Sequence, residues 1–525
     1  MIERVIMKDT LSVSKPVRIS IISLVLTFFA SISIAEIDND VPIGWAAVPS
    51  SESRSGIDGI DLETTTGGGD GKVVTAKTNG ELASYLKSSE PLVIMAEGSF
   101  SGHIVIGSNK TVIGTGSGAT FNGGFDLVKV SNIIFRNFKI SGGDDAFGFG
   151  GAHHVWIDHC DLSACADGLI DITTGSDNVT VSWVRFSKHH KTMLINHGKN
   201  VEMDNDRLNV TLHHNFFDGS DTRNPRVGFG QVHILNNYYN ANSGYAIHTY
   251  WNTEVRIERN YFNNVKDALS DHKGGKQGDW PGPGYVVLIE NYTNVPGSIQ
   301  KETTTDQERI FDVDKFYLYD WIVTKDVMQV PDVVQKGAGT GPEWGKLGAL
   351  PTPGQGYSNV NTNPTLKWTK VGSEASNKVY FGSSNPPPEV TTVNGYSYKP
   401  GNLKEGTVYY WKINDGKVWK FRTKGTPVPI AETPAPTQAK PFVYGNSNPE
   451  ALKFHFNSAR NEVTLNLNGT GIRGLAIHDC FGKTVSKEIP SGNVHTISVK
   501  NLPSGVYYIS LTSKHGTCYR QFIKI

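Results

Sequence analysis

Residues 210–239 read VTLHHNFFDGSDTRNPRVGFGQVHILNNYY, and this stretch contains the same short motif twice. Each copy, at 210–217 and at 232–239, alternates apolar residues and then reaches asparagine and a pair of aromatic residues. Such alternation is typical of a short β-strand. Glycine, proline and small polar residues, which favour turns, dominate the segment between the copies. That segment also carries two arginines, Arg223 and Arg226.

The motif recurs through a large part of the chain. Six copies align: IIFRNFKI (133–140), VWIDHCDL (155–162), VTVSWVRF (179–186), VTLHHNFF (210–217), VHILNNYY (232–239) and VRIERNYF (255–262). Their starts are 22, 24, 31, 22 and 23 residues apart. No helical periodicity lies between them, which excludes alternating strand–helix units, and a sandwich would need hairpin turns more often.

We therefore predict an all-β fold whose main domain is a right-handed parallel β-helix with one repeat per coil. Equivalent residues of successive coils then stack about 4.8 Å apart. The recurring asparagines can form a hydrogen-bonded ladder, and the aromatic residues can stack inside. The 31-residue interval marks an insertion near 199–209 that leaves the coil as a loop.

The ends and linkers of the chain define the other regions. Lys8, Lys15 and Arg18 precede a short apolar run and a small-residue cleavage site, which indicates a secretory signal peptide. Two stretches rich in proline and small residues read as linkers. The predicted division is a signal peptide at 1–35, the β-helix at 36–345, a linker at 346–356, a β-sandwich at 357–424, a linker at 425–441 and a C-terminal domain at 442–525.

Composition and cysteine spacing limit the classes of ligand and metal site that the protein can have. Lysine plus arginine equals aspartate plus glutamate at 50 each, so the formal net charge is zero. This argues against nucleic-acid binding through a broad basic field, and any anionic ligand must meet locally placed cations. No membrane span is expected after signal removal. The pairs Cys160/Cys165 and Cys480/Cys518 suggest two local disulfides in an oxidising compartment, and their spacing does not favour a zinc site.

Charged residues recur in phase with the repeat. Asp145, Asp167 and Lys191 each follow a strand start by twelve residues, and Arg223 follows the next by thirteen. In a β-helix they would form a column of two acids and two bases about 15 Å long. Each charge taken singly is more typical of a solvated turn residue than of a ligand. Four in phase favour a binding site.

The carboxylates in this column predict a cation site. Asp145, Asp167 and Asp171 offer oxygen ligands without cysteine or histidine between them, which favours a hard cation, Ca²⁺ before Mg²⁺. Such a cation beside Lys191 and Arg223 would suit a polyanionic sugar acid. Neutralising a substrate carboxylate makes the adjacent C–H acidic. The chemistry indicated is proton abstraction followed by loss of a sugar oxygen, a β-elimination.

Several long motifs resemble those of the pectate lyases of polysaccharide lyase family one. They are VWIDHC (155–160), DGLIDITTGSDNVTVSW (167–183), HHKTML (189–194), TLHHNFF (211–217) and RNPRVGFGQVHILNNYY (223–239), with TTTGGGDGKVVTAKT (64–78) upstream. The likeness covers most of residues 60–340. It implies calcium-dependent elimination on polygalacturonate, or pectin, by the same kind of β-helix.

The resemblance also implies roles for particular residues. It makes Asp145, Asp167 and Asp171 calcium ligands, Lys191 the residue that grips the substrate carboxylate, and Arg223 the base that removes the C5 proton. Arginine is a poor base because its pKa lies above 12, so Lys191 as base with Arg223 as an electrostatic clamp stays open.

One position departs from the family pattern. The second arginine of the R-x-P-x-x-R motif falls at Gly228, so one substrate contact is missing. Arg226 is the candidate to replace it in substrate binding, although an offset of two residues suggests a different direction in space. Asp158 and His159 are also signature residues, which we interpret as structural because they lie on a strand outside the charged phase.

The two C-terminal modules have resemblances of their own. Residues 357–424 resemble a fibronectin type III β-sandwich, in which Trp368, Trp411 and Trp419 either bind sugar or, as we favour, fill the core. Residues 442–525 form a second small β-sandwich and resemble the C-terminal sorting domain of the type nine secretion system. This implies a bacterial protein that the secretion machinery exports to the medium or the cell surface.

Rival functions remain compatible with the sequence. A pectin lyase would not need the acidic cluster, and a galacturonan hydrolase would need paired catalytic carboxylates placed for water attack. A non-catalytic β-helix that binds plant wall polysaccharide would tolerate replacement of Arg223. We expect a monomer that cleaves polygalacturonate.

Overall fold

A computed structural model describes most of the chain. The described residues are 40–52, 59–198, 201–250, 253–271, 285–295, 298–299, 319, 324, 326–370, 376–425, 453–457, 462–466, 472–479, 484–490, 494–502, 505–513 and 516–524. The predicted signal peptide and most of the linker at 425–441 lie outside them. The chain forms two compact units, Met1–Thr426 and Pro427–Ile525. Within the described residues, no helix has the length and apolar character needed to span a bilayer.

The first unit is a parallel β-helix, as the repeat predicts. Its strands are β1 (Lys72–Ala76), β2 (Leu92–Ala96), β3 (Ser99–Val105), β4 (Lys110–Gly114), β5 (Ala119–Val128), β6 (Ser131–Arg136), β7 (Phe138–Gly150), β8 (His153–Asp158), β9 (Asp161–Ser163), β10 (Gly168–Thr173), β11 (Asp177–Ser182), β12 (Arg185–Ser187), β13 (Lys191–Ile195), β14 (Val210–His213), β15 (Phe216–Asp218), β16 (Arg226–Gly228), β17 (Gln231–Leu235), β18 (Tyr238–Asn240), β19 (Tyr245–Tyr250), β20 (Glu254–Glu258), β21 (Tyr261–Asn263), β22 (Asp267–Asp271), β23 (Tyr285–Ile289) and β24 (Tyr292–Thr293).

Each strand pairs in parallel with its equivalent one coil away. The first sheet has the order β1-β2-β4-β6-β8-β11-β14-β17-β20-β23. In the other large sheet, β7 joins the series β9-β12-β15-β18-β21-β24 to the series β10-β13-β16-β19-β22. We call the strands β5, β7, β10, β13, β16, β19 and β22 the site sheet, because the charged residues in phase lie on these strands or shortly before them.

The interior shows the ladder and the stack that the motif predicts. Asparagines of four successive coils form a ladder in which each Nδ2 donates to the Oδ1 of the next at 3.0 Å. The order is Asn215, Asn237, Asn260 and Asn291. Rings of four coils, beginning one coil earlier than the asparagines, stack 4.6–4.8 Å apart in the order Phe186, Phe217, Tyr239 and Phe262. This spacing is that of adjacent strands, so a fixed register aligns the buried side chains.

Short helices close the β-helix and border it. Helix α1 (Asn79–Lys87) begins with a capping box between Thr78 and Glu81, and its Leu82 and Leu86 enter the core. Among the described residues, the other helices are α2 (Val201–Asp204), α3 (Val330–Gly337) and the 3₁₀ turns Gly44–Ala47, Ser50–Glu52, Val327–Gln329 and Pro342–Trp344. Because α2 lies within the 31-residue interval, it belongs to the predicted insertion.

A small antiparallel β-sandwich completes the first unit. Its strands are β25 (Pro351–Thr352), β26 (Leu366–Trp368), β27 (Ser376–Gly382), β28 (Glu389–Asn394), β29 (Ser397–Tyr398), β30 (Val408–Ile413) and β31 (Trp419–Arg422). They form the sheets β25-β26-β29 and β28-β27-β30-β31. Trp368, Trp411 and Trp419 are at most 4% exposed, so they fill the core, as favoured from the sequence.

The segment 346–356, expected to be a linker, is instead part of the fold. It supplies β25, and Leu350 is 2% exposed in a cluster that joins sandwich residues to Ile134 and Trp156 of the β-helix. Its proline content suggested a linker, but proline is also compatible with a short edge strand.

The second unit contains two further antiparallel sheets. Its strands are β32 (Lys453–Asn457), β33 (Glu462–Asn466), β34 (Ile472–Asp479), β35 (Thr484–Glu488), β36 (Val494–Ser498), β37 (Gly505–Ser513) and β38 (Gly516–Lys524). The sheet orders are β32-β33-β36 and β35-β34-β37-β38. The core of this unit includes Val463, Ile477 and Ile509, each fully buried.

The suggested disulfide between Cys160 and Cys165 is wrong. Both thiols are free and buried in the core of the β-helix, where they pack as small apolar side chains. Burial raises the pKa of both thiols, which keeps them protonated and unreactive. Cys480 and the side chain of Cys518 lie outside the described residues.

Candidate active site

The site sheet aligns residues from successive coils into rows. One row runs from Asp126 through Gly148, Asp171, Leu194 and Arg226 to His248 and Ser270. Because neighbouring strands are 4.7–4.9 Å apart, this row places acids at one end and a cation about 10 Å further along.

Two carboxylates converge around a glycine. The backbone N–H of Gly168 donates to Asp145 Oδ1 at 2.7 Å. A Cβ atom added at Gly168 would lie 2.8 Å from both Asp145 Oδ1 and Asp171 Oδ1. Any larger residue would therefore fill the space on which the two oxygens converge.

The electrostatics of these carboxylates reflect their crowding. Burial raises the pKa of Asp171 to about 7, and the charge of Asp145 adds to the effect while Arg223 opposes it. Burial also raises the pKa of Asp145, and Asp167 and Asp126 contribute. Two acids held close together with raised pKa values are a site where a cation would relieve repulsion.

The donor chemistry fits a hard cation. Asp145 and Asp171 offer only carboxylate oxygens, and Gly168 leaves the space between them open. Asp167, the third predicted ligand, instead accepts a 2.6 Å hydrogen bond from Lys191 Nζ. In the part of the chain that the structure describes, no three histidine, cysteine or acidic side chains are arranged to hold a metal ion as they stand.

Two cations lie beside the acids. The ion pair with Lys191 lowers the pKa of Asp167, and the charge of Arg223 lowers it further. Arg223 is held in the left-handed backbone region at φ 57°, and its carbonyl accepts a 2.7 Å bond from the N–H of Met193. Tyr245, whose pKa is raised by burial, has a side chain in contact with Arg223. The five residues Asp145, Asp167, Asp171, Lys191 and Arg223 are thus brought together.

The predicted column is offset by one residue at two of its positions. Lys191 pairs with Gly168 rather than with Asp167, and it bridges to Thr222 rather than to Arg223. The sequence phase counted residues from strand starts, whereas the turns before these strands do not keep strict alternation. The side chain of Lys191 is long enough to reach Asp167 despite this offset.

Arg226 lies on the same side of β16 as residue 228, contrary to the expected difference in direction, and the register places it in the row of Asp171. It begins β16, and residues two apart in a strand point to the same side. Its guanidinium lies 4.6 Å from the ring centroid of Tyr250. Gly228, two residues later, pairs with Tyr250.

Sequence reasoning missed Asp126 and the two tyrosines of β19. Asp126 lies beside Asp145 and accepts from His103 Nε2 in a 2.5 Å pair if that nitrogen is protonated. Asp126 lies in the row of Asp171, and an alignment of the repeat could have shown this. The repeat alignment began at residue 133, so it did not include Asp126. Tyr245 and Tyr250 were hidden because aromatic residues recur at many strand ends.

The signature residues Asp158 and His159 lie away from this cluster. Asp158 belongs to β8 of the first sheet, and both residues are fully buried. Asp158 accepts from Ser182 Oγ at 2.6 Å and forms a 2.9 Å ion pair with Arg136. These contacts support a structural role.

Comparisons with known proteins identify relatives of two parts of the chain. Residues 60–277 match the family described as pectate lyase, and residues 456–525 match the secretion system C-terminal sorting domain. Pectate lyase plyB of Emericella nidulans is 38% identical over 230 residues, covering 40% of this chain and 70% of that protein. Pectate trisaccharide-lyase of Bacillus licheniformis is 30% identical over 301 residues, covering 53% of this chain and 83% of that protein.

Matches to solved structures were also found. One is pectate lyase Bsp165PelA from Bacillus sp. N165 in complex with trigalacturonate, with a TM-score of 0.47 and 25% identity. The match covers 57% of this chain and 99% of that one.

Proposed function

The chain belongs to the pectate lyase family, and we propose that it cleaves polygalacturonate by calcium-assisted β-elimination at the cluster on the site sheet. It is a polysaccharide lyase, and its C-terminal sorting domain directs it through type nine secretion to the cell surface or the medium. The single observation that carries the proposed site is the convergence of Asp145 and Asp171 on Gly168 with Lys191 and Arg223 alongside.

Calcium would be held by Asp145 and Asp171, with Asp167 as a third carboxylate. A bound Ca²⁺ supplies positive charge that draws electron density from a substrate carboxylate and so acidifies the neighbouring C–H. The acids themselves cannot bind an anionic sugar, because like charges repel. This is why the paired Lys191 and Arg223 are needed next to them.

We assign substrate binding to Lys191 and proton abstraction to Arg223. Lys191 already donates to a carboxylate, Asp167, and needs its proton to do so. It is therefore suited to hold the carboxylate of the sugar that reacts. The carbonyl bond to Met193 and the contact with Tyr245 hold Arg223 in place. A base in this position must act in its neutral form.

The bond changes balance without added water. Arg223 takes the proton from C5, and the electron pair of that C–H bond forms the C4–C5 double bond. The C4–O bond breaks, and its electrons leave on the glycosidic oxygen, which takes a proton from solvent or from protonated Arg223. One product carries a new reducing end, and the other an unsaturated sugar.

An ultraviolet assay tests the proposal. Polygalacturonate is incubated with the full chain in calcium and in chelator, while absorbance of unsaturated ends and reducing ends are both followed. We expect absorbance that calcium supports and chelator abolishes. Activity that persists in chelator contradicts the calcium role, and reducing ends without absorbance indicate a hydrolase. Binding without either signal indicates a polysaccharide-binding β-helix.

Two substitutions separate the roles of the cations. Arg223→Ala should abolish elimination while the melting temperature stays near that of the wild type. Lys191→Ala should raise KM strongly, because the substrate carboxylate loses its partner. If Arg223→Ala turns over normally and Lys191→Ala is inert, the base is Lys191.

A further inference from the structure

Tyr250 occupies the space that the missing motif arginine would need. Its strand partner is Gly228, and its hydroxyl donates to the carbonyl and to Oδ1 of Asn196, both at 3.2 Å. The phenol therefore passes over Gly228 to reach the next coil. A Cβ atom at Gly228 would lie 3.0 Å from both Asn196 Oδ1 and the Tyr250 ring. A side chain at residue 228 and the ring of Tyr250 compete for the same place.

A buried network of hydrogen bonds fixes the residue to which the Tyr250 hydroxyl donates, Asn196. Asn196 Nδ2 donates to Asp204 Oδ2 at 2.7 Å, and Asp204 Oδ1 accepts from the N–H of Gly175 at 2.7 Å. Asn196 and Asp204 are both fully buried. Asp204 is the last residue of α2 in the insertion, so the insertion fixes the ring.

Arg226 lies on the face of this fixed ring. The guanidinium carbon is 4.6 Å from the ring centroid, within the range of a cation–π contact. Burial raises the pKa of Tyr250 to about 12, and the charge of Arg226 opposes this, as does that of Arg223. The contact keeps a half-buried cation on the outward side of the site sheet, in the row of Asp171.

We propose that Arg226 is the second cation that binds a substrate carboxylate, and that Tyr250 is the positioning residue that replaces the motif arginine. Gly228 and Tyr250 form a coupled pair, since the glycine makes room for the ring. This inference rests on the proposed function. A polyanion that lies across the strands from Asp171 meets Arg226 about two strands away.

Steady-state kinetics on substrates of increasing methyl-esterification test this assignment. Arg226→Ala should raise KM about ten- to hundredfold on polygalacturonate, with kcat changed less than about threefold, because a charge-assisted hydrogen bond is lost. The penalty should shrink as esterification removes the carboxylates, which a purely structural defect would not do. Lys72→Ala, an exposed cation on β1 of the first sheet, is the matched control and should match the wild type.

Variants of Tyr250 and Gly228 test the positioning. Tyr250→Ala should raise KM about tenfold, and Tyr250→Phe, which keeps the ring but loses the bond to Asn196, only about two- to threefold. Gly228→Arg should impair the enzyme although it restores the family motif. Gly228→Arg combined with Tyr250→Ala should recover most of the loss, which is a coupling that a double-mutant cycle measures.

Different results would contradict the role of Arg226 and the proposed function on which it rests. Wild-type protein that cleaves none of these substrates contradicts the proposed function. An active wild type with an Arg226→Ala variant of unchanged KM, or with the same penalty on esterified pectin, contradicts this inference alone. Additive effects of Gly228→Arg and Tyr250→Ala contradict the coupled pair. Melting curves of each variant show whether it is folded.

Discussion

Asp171→Asn should change the stability of the protein in opposite directions with and without calcium. Asp171 has a pKa raised to about 7 from its ordinary 3.8, because it is buried beside Asp145. A folded-state pKa above the unfolded value means that the folded protein binds this proton more tightly. Stability is therefore lost as the pH rises from about 4 to about 7.

The size of the effect follows from that pKa difference. About three pKa units correspond to about 4 kcal/mol, and solvent screening of a side chain that keeps some exposure reduces this to about 2 kcal/mol. Removing the charge should then raise the melting temperature in chelator at pH 8 by about 2–3 °C. Calcium at a hundredfold excess over its dissociation constant would stabilise the wild type by about 2.7 kcal/mol. The variant should lack that gain.

Thermal denaturation in chelator and in calcium, at pH 4 and pH 8, measures this. Asp171→Asn should melt above the wild type in chelator at pH 8, similarly to it at pH 4, and below it in calcium. Asp61→Asn, at an exposed carboxylate, is the control and should follow the wild type throughout. A variant that melts at or below the wild type in chelator at pH 8 would refute the reasoning about crowded acids.

Two further substitutions test the site and the fold. Gly168→Ala should weaken calcium binding, measured by calorimetry, because its Cβ would lie 2.8 Å from two carboxylate oxygens. An unchanged calcium affinity would contradict a cation site between Asp145 and Asp171. Asn237→Ala should destabilise the β-helix by about 2 kcal/mol, seen as a lower melting temperature, because it leaves bonds to Asn215 and Asn260 unmade. An unchanged melting temperature would mean that the ladder contributes nothing.

The fold of the main domain was predictable because its repeat is regular. Asparagine and paired aromatic residues recur at nearly constant spacing, and stacking coils bring such residues together at the strand separation. The boundary at 346–356 was not predictable, because proline-rich composition does not distinguish a linker from an edge strand. The predicted Cys160–Cys165 disulfide was wrong, because closeness in sequence does not show that two side chains point at each other.

The cluster of charges was partly predictable from phase alone. Asp145 and Lys191 fall where counting from the strand starts places them, and the long side chains of Lys191 and Arg223 reach the acids despite the offset of one residue. Neither the position of Asp126 nor the direction of Arg226 followed from counting, because both depend on register across the site sheet. The relation between Gly228 and Tyr250, 22 residues apart, needs that same register.

Mass spectrometry of the products from a short oligogalacturonate tests the central claim most directly. Elimination adds no water, so the masses of the two fragments should sum to that of the substrate, with one fragment unsaturated. Fragment masses that sum to the substrate plus one water would show hydrolysis and would contradict the account. The digestion should be run with the full chain in calcium, with Arg223→Ala as the inactive control.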